Sequence, residues 1–354
     1  MSTQALPNRF INSPTVMESY QVEHPESPVD LSDEEVEDLS DEYNKVSGNE
    51  GYYKLLFEHM RPQQEAITRS GNEGLVSWTK SAISSFIEGI KKFFKWIWSF
   101  FFGKAKQLEK KSENIEDDLK THGVKSGDIP YPLVYAQLWA NPKPVPKNLD
   151  WMKTFLTQLN KALDAATDHA DAMQNFCNNV KSVLIISHGT SKLEDYIKSH
   201  NTKVHGIFKG FDKSFVGASK AIVGENGKVV IVNDPKLLKK QGNPNFTTNV
   251  SAVENLRKEA NKAAEKFETL LGKTVGLEKN MIKSMEDGLT FAQSLNLEKA
   301  TGKTEAIINK LKRVTSDYMV TVKSQDLLFM QLTKGALDII AATINTSGKK
   351  DDKK

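Results

Sequence analysis

Residues 83–103 hold eight aromatic side chains, from Phe86 to Phe102, interleaved with Lys91, Lys92 and Lys95, and so dense an apolar load has to be covered by something. Leu75, Trp78, Ala82, Phe86, Ile90, Phe93, Ile97 and Phe101 recur at steps of three or four. That period puts one wide apolar stripe on a helix, predicted over residues 75–119, with Gly103 placed to kink or divide it. A lone membrane-spanning helix needs about 20 apolar residues, and lysines near the middle of a much shorter run exclude it. Three coverings remain. The stripe packs on neighbouring helices or another subunit, it lies in a membrane interface with its lysines on anionic lipid, or its rings stack on nucleic-acid bases. The residues that would make the membrane or subunit contact are Phe86, Phe93, Phe94, Trp96, Trp98 and Phe101. Burial in the core is the commoner fate of such a stripe.

The same period returns further along. It runs through Phe155, Leu159, Leu163, Ala166, Ala170, Met173 and Phe176 or Cys177. After Pro244 it recurs over residues 251–271, 277–295 and 304–344, where Ser251 and Glu254 fit a capping box. These last helices have the most regular apolar faces and are expected to form the stable core or an oligomer interface. Residues 104–120 are polar enough for a solvated or coiled-coil-like extension. A first short helix is expected over 51–60, stopped near Pro62. Strand character is confined to residues 183–186 and 227–232, β-branched runs bounded by Gly, Asn and Pro. Pro142, Pro144 and Pro146 mark an extended polyproline linker and a domain boundary. The expected class is mainly α: helical bundle regions with a small β element near residues 183–232. The segments are an acidic leader (1–50), an aromatic-rich helical region (51–120), a Pro-rich linker (121–148), a helical C-terminal domain (149–346) and a charged tail (347–354).

Charge is split along the chain. The net formal charge is +3, yet residues 1–50 carry twelve acidic side chains against Arg9 and Lys45, or −10, leaving +13 on the remainder. A leader that polar, with four prolines, cannot bury enough apolar area to offset the entropy of ordering, so it is expected to be disordered. An acidic tail on a basic body shields the body from nucleic acid or membrane until it is displaced or removed. Residues 1–14 lack the basic cap and apolar run of a secretory leader, so ordinary export is not expected.

Enzyme chemistry finds little footing. Gly272-Lys273-Thr274 and Gly302-Lys303-Thr304 resemble the end of a phosphate-binding loop, but Phe267 and Leu297 stand where its first glycine is needed. Both triplets are expected to end one helix and start the next. The seven histidines show no His-x-x-x-His pair, and Cys177 is the single cysteine, so no metal or cofactor site and no disulfide is expected. Ser187-His188-Gly189-Thr190 is the one segment like a catalytic loop, with Asp234 its nearest conceivable partner, and a surface turn is the plainer reading. The expectation is a protein that is not an enzyme. The basic excess is lysine-rich and dispersed, which suits unspecific phosphate contact rather than sequence reading.

A removable-looking acidic leader, a lysine-rich helical body and the repeated Leu31-Ser32-Asp33-Glu34 and Leu39-Ser40-Asp41-Glu42 together resemble the internal head proteins of large tailed bacteriophages. The resemblance covers the organisation of the whole chain and rests on no diagnostic motif. It implies a virion component inside the phage head, present in host cytoplasm during assembly, whose propeptide a prohead protease removes after Glu34 or Glu42. Its implied partners are capsid or other virion proteins, unspecific nucleic acid and further copies of itself, with a membrane surface as the alternative through residues 83–103. Removing residues 1–42 takes away eleven acidic residues and one basic residue, leaving +13.

Overall fold

The computed structural model describes residues 72–132, 134–138, 146–186, 191–208, 219–223, 229–233, 244–294 and 301–345. The chain divides into two units, Met1–Trp78 and Thr79–Lys354, and the second carries the helical bundle. The expected leader, the helix over 51–60 and the tail lie outside the described residues, as do Glu34 and Glu42. The protein is mainly α. Its long helices are α1 (Asn72–His122), α3 (Asp150–Ile186), α4 (Ser191–Phe208), α5 (Val250–Ser294) and α6 (Thr301–Ala341), with a single turn α2 (Tyr135–Leu138). Two small antiparallel pairs complete it: β1 (Ile129–Pro130) with β4 (Asn245–Phe246), and β2 (Ser219–Val223) with β3 (Val229–Asn233).

The heptad arithmetic of α5 explains the bundle. Val253, Ala260, Phe267, Thr274, Met281 and Gly288, seven residues apart, are all buried. They are flanked by a second buried row, Leu256, Ala263, Leu270, Leu277 and Ser284, and a third, Arg257, Ala264, Leu271, Met285 and Ala292. Rows on both sides of a shared seam let one helix serve two neighbours at once. Toward α3 the contacts repeat with the heptad: Lys266 pairs with Asp164 at 2.6 Å, and Lys273 with Asp171 one heptad later. Residue numbers rise together, so α3 and α5 run parallel. Toward α1 they run in opposite senses, since Arg257 meets Glu116 at 2.9 Å while Phe267 meets Phe101 at a ring separation of 6.2 Å.

Helix α6 occupies the centre. It runs parallel to α1, with Lys312 over Phe86, Lys323 over Trp96 and Asp338 paired to Lys111. It also runs parallel to α4, from the Lys310–Glu194 pair to stacked Phe329 and Phe208. It is antiparallel to α5, where Leu311 meets Gly288 and Tyr318 meets Thr274, and it touches α3 through Tyr318 and His169. With four long helices around it, α6 is buried continuously from Val314 to Met330, apart from half-buried Val320 and Lys323. The C-terminal helices are the core, as their apolar faces lead one to expect.

Several boundaries differ from the sequence reading. Residues 183–186 are not a strand: α3 continues through them because Met173, Cys177, Val180 and Leu184 keep one buried row at helical spacing, and that packing outweighs β propensity. The β element is the hairpin of residues 219–233. Gly272 ends no helix either. The buried row of α5 passes unbroken on either side of it, and glycine's intrinsic cost of about 1 kcal/mol is small beside that packing. Gly302 stands in the first turn of α6. α1 passes through Gly103 undivided and ends before Gly123, which has a φ of +67° and whose N–H donates to the Leu119 carbonyl at 3.0 Å to close the helix. Asn249, rather than Ser251, caps α5, accepting the Ala252 amide at 2.9 Å.

The expected boundary near residues 141–148 is not a division of the fold. Residues 139–145 lie outside the described residues, but the chain on both sides belongs to one unit. Tyr131 packs on Phe246, and its hydroxyl accepts from Trp151 Nε1 at 3.0 Å and lies 3.1 Å from the Pro146 and Asn148 carbonyls. This knot fastens β1 and β4 beside the neighbouring starts of α3 and α5. The polar extension 104–120 is likewise packed: Ala105, Leu108, Ser112, Ile115 and Leu119 are buried at alternating steps of three and four, as a coiled-coil seam requires.

Candidate functional site

The aromatic run of α1 faces two ways. Phe86, Phe93, Phe94 and Phe101 are buried within the bundle, and Phe101 meets Trp96 and Phe100 of its own helix and Phe267 of α5. Trp96 is half-buried, stacked on Phe100 at 5.3 Å with Lys323 Nζ 4.9 Å from its ring. These five are therefore spent on intramolecular packing rather than on lipid or another subunit. Trp98 is different: it is 45% exposed, among the few large apolar side chains of the described residues that reach solvent.

Trp98 lies on the outer row of α1 with Lys91, Lys92, Lys95 and Lys106, all exposed. Its ring stacks on Phe102 at 4.0 Å, and Lys106 Nζ stands 4.7 Å from the Phe102 centroid. Lys91 pairs with Glu88 at 2.8 Å. Lys91, Phe94, Lys95 and Trp98 form one wall of a shallow groove of about 480 Å³, and Val275 and Glu278 of α5 form the other. The helical period placed these lysines and this indole on the same face, and the wider phenylalanines turned the opposite face inward.

A second polar constellation is internal and was not legible as a pair. His169 of α3 and His200 of α4, 31 residues apart, meet with Nε2 of the first 3.0 Å from Nδ1 of the second. His200 Nε2 is 3.1 Å from the Thr321 hydroxyl, which itself donates to the Asp317 carbonyl at 2.9 Å. The hydroxyl has one proton and has used it, so it accepts from His200 Nε2–H, and His200 Nδ1 accepts from His169 Nε2–H. Both rings are thereby held neutral. Burial, with the neighbouring histidine and Lys203, pushes His169 down to about 3, and burial takes His200 to about 4 against a backbone hydrogen bond with Asp317 that raises it, Lys203 adding to the fall. His169 also lines a pocket of about 280 Å³ with Asp168, Lys203 and Gly206. The available signal was register: His200 sits among Leu193, Ile197, Val204 and Ile207, on the buried face of α4.

Other titratable groups are shaped by packing. Burial raises the Cys177 thiol to about 12, which makes it a poor nucleophile. Burial lowers Lys312 to about 8. Between α1 and α5, partial burial followed by the facing Glu268 raises Glu109 to about 7, with Glu265 and Glu113 adding to the effect. Asp326 is fully buried, and burial holds its carboxyl well above the ordinary range against the opposing pull of a hydrogen bond from the Gln325 side chain. Among the described residues no group of three or more His, Cys, Asp or Glu could hold a metal ion, and no helix is long and apolar enough to cross a membrane. His188 and Asp234 lie outside the described residues. Compared with known proteins, the chain matches no family model, no curated protein and no solved structure, so its own residues are the ground on which a function has to be argued.

Proposed function

We propose that this chain is a non-enzymatic component of a phage head, lying against packaged nucleic acid once its acidic leader has been removed after Glu34 or Glu42. The observation that carries the reading is the charge split of −10 over residues 1–50 against +13 over the rest. Exposed lysines on the outer faces of the bundle agree with it: Lys110 and Lys120 on α1, and Lys258, Lys262, Lys279 and Lys283 on α5. Such hydrated point charges neutralise phosphates without reading sequence. A tightly packed bundle with charge spread over its outside fills space beside a polyanion.

The test is the intact mass and N-terminal peptide of the protein recovered from its native particle. A mature chain beginning at residue 35 or 43 is the expected result. A full-length chain found in cells and missing from every particle overturns the reading. A companion measurement is the salt dependence of duplex-DNA binding: affinity should fall steeply with added salt and be indifferent to sequence.

A further inference from the structure

We propose that the outer face of α1 centred on Trp98 docks on an anionic membrane surface. This goes beyond the head-protein reading and does not depend on it. Trp98 is 45% exposed although its neighbours on the same helix are buried to 8% or less at Phe93, Phe94, Ile97, Phe100 and Phe101. The bundle has interior places for the other rings and leaves this one in water. An indole so placed settles in the headgroup layer of a bilayer, where its apolar body and its N–H are both satisfied.

The charge around it is complementary. Lys91, Lys92 and Lys95 lie one to two turns before Trp98 and Lys106 lies about two turns after it, four lysines against the three carboxylates of Glu88, Glu278 and Glu286. The row from Lys91 to Lys106 is helical throughout and, at 1.5 Å per residue, extends over about 22 Å. Lysines at an anionic surface each add attraction that salt screens.

Nucleic acid fits this face less well. One face of the Trp98 ring is covered by Phe102 at 4.0 Å, and the Phe102 ring carries Lys106 in turn. The groove beside Trp98 is also lined by Glu278, whose carboxylate repels a phosphate brought into it. A lipid surface asks only that the indole edge enter the headgroups.

The experiment is flotation of the full chain at low salt with phosphatidylglycerol–phosphatidylcholine vesicles and with pure phosphatidylcholine vesicles. Binding is expected to the anionic vesicles alone, to weaken with added salt, and to fall about tenfold both in Trp98→Ser and in the Lys92→Glu, Lys95→Glu double variant. Val250→Ser, which removes another exposed apolar side chain from the start of α5, should bind like the parent. Circular dichroism checks each variant, and the double variant carries the test if Trp98→Ser loses helix. No flotation of the parent, equal binding to neutral vesicles, or undiminished binding by the variants overturns the proposal. So does a loss of single-stranded DNA affinity in Trp98→Ser with flotation unchanged, which would assign the face to nucleic acid.

Discussion

Helices α1 and α6 run parallel, side by side, and treat charge in opposite ways. In α1, Lys91, Lys92, Lys95, Lys106, Lys110 and Lys120 are in solvent with Lys104 the buried exception, and one face carries the aromatic load inward. In α6, Lys312, Asp317, Gln325 and Asp326 are buried with the apolar residues, because helices pack round most of it and leave few positions, such as Arg313, in water. An amphipathic pattern suffices for a peripheral helix. A central helix has little polar side to use, so most of its polar residues must be neutralised or bonded where they stand, and the groups that resist this are the shifted ones, Lys312 and Asp326.

The comparison breaks first at α1 itself. Phe101→Ala removes a fully buried ring and should cost about 3–5 kcal/mol in urea unfolding, while Trp98→Ala on the outer row should cost under about 1 kcal/mol. Equal losses would mean that the inward and outward faces of α1 are wrongly assigned.

The histidine bridge to α6 sharpens it next. Folded-state values near 3 and 4 lie below the ordinary 6.5, so below about pH 6.5 the unfolded chain takes up protons that the folded chain refuses. Stability should therefore fall as pH drops from 6.5 toward 4.5, by about 1.4 kcal/mol per pH unit for each histidine. Replacing both His169 and His200 by Leu should flatten that slope, and an unchanged slope would place the acid sensitivity elsewhere.

Packing around α6 can be tested from its neighbour. A Cβ at Gly288 of α5 would stand 2.2 Å from Leu311 Cδ1, so Gly288→Ala should lower stability by about 1–3 kcal/mol despite alanine's better helix propensity. Gly272, with open space around it, is the control, and Gly272→Ala should be neutral or stabilising.

A further test within α6 concerns Asp326. Its folded value is raised, so above pH 3.8 the unfolded chain ionises while the folded chain keeps the proton, and stability falls as pH rises. Asp326→Asn cannot ionise, and its melting temperature should exceed the parent's at pH 7.5 with the gap closing toward pH 4. A gap independent of pH would show that the carboxyl is not held protonated.

Much of this was readable from the chain because it is local. The 3.6-residue period specified α1 and the helical stretch from Trp151, and the aromatic row was marked for cover before any partner was known. Misreadings arose where a local rule met a tertiary override. Residues 183–186 have strand propensity, but Leu184 continues a buried row; Gly272 looks like a helix end, but heptad rows cross it; and prolines 142–146 look like a linker, but Tyr131 and Trp151 tie its flanks together. The candidate surface was half visible. Six residues of the run were singled out, and which of them faces water depends on where α5 and α6 lie.

The sequence by itself determined the helical class, the charge split and the pairing of an indole with lysines on one helical face, since these are properties of spacing and composition along a single chain. Only the tertiary structure decided that α6 is central, that His169 meets His200, and that Trp98 alone of the marked aromatics is largely outside. Those outcomes depend on which helices pack against which, through contacts between residues far apart in the chain, and no local period encodes them.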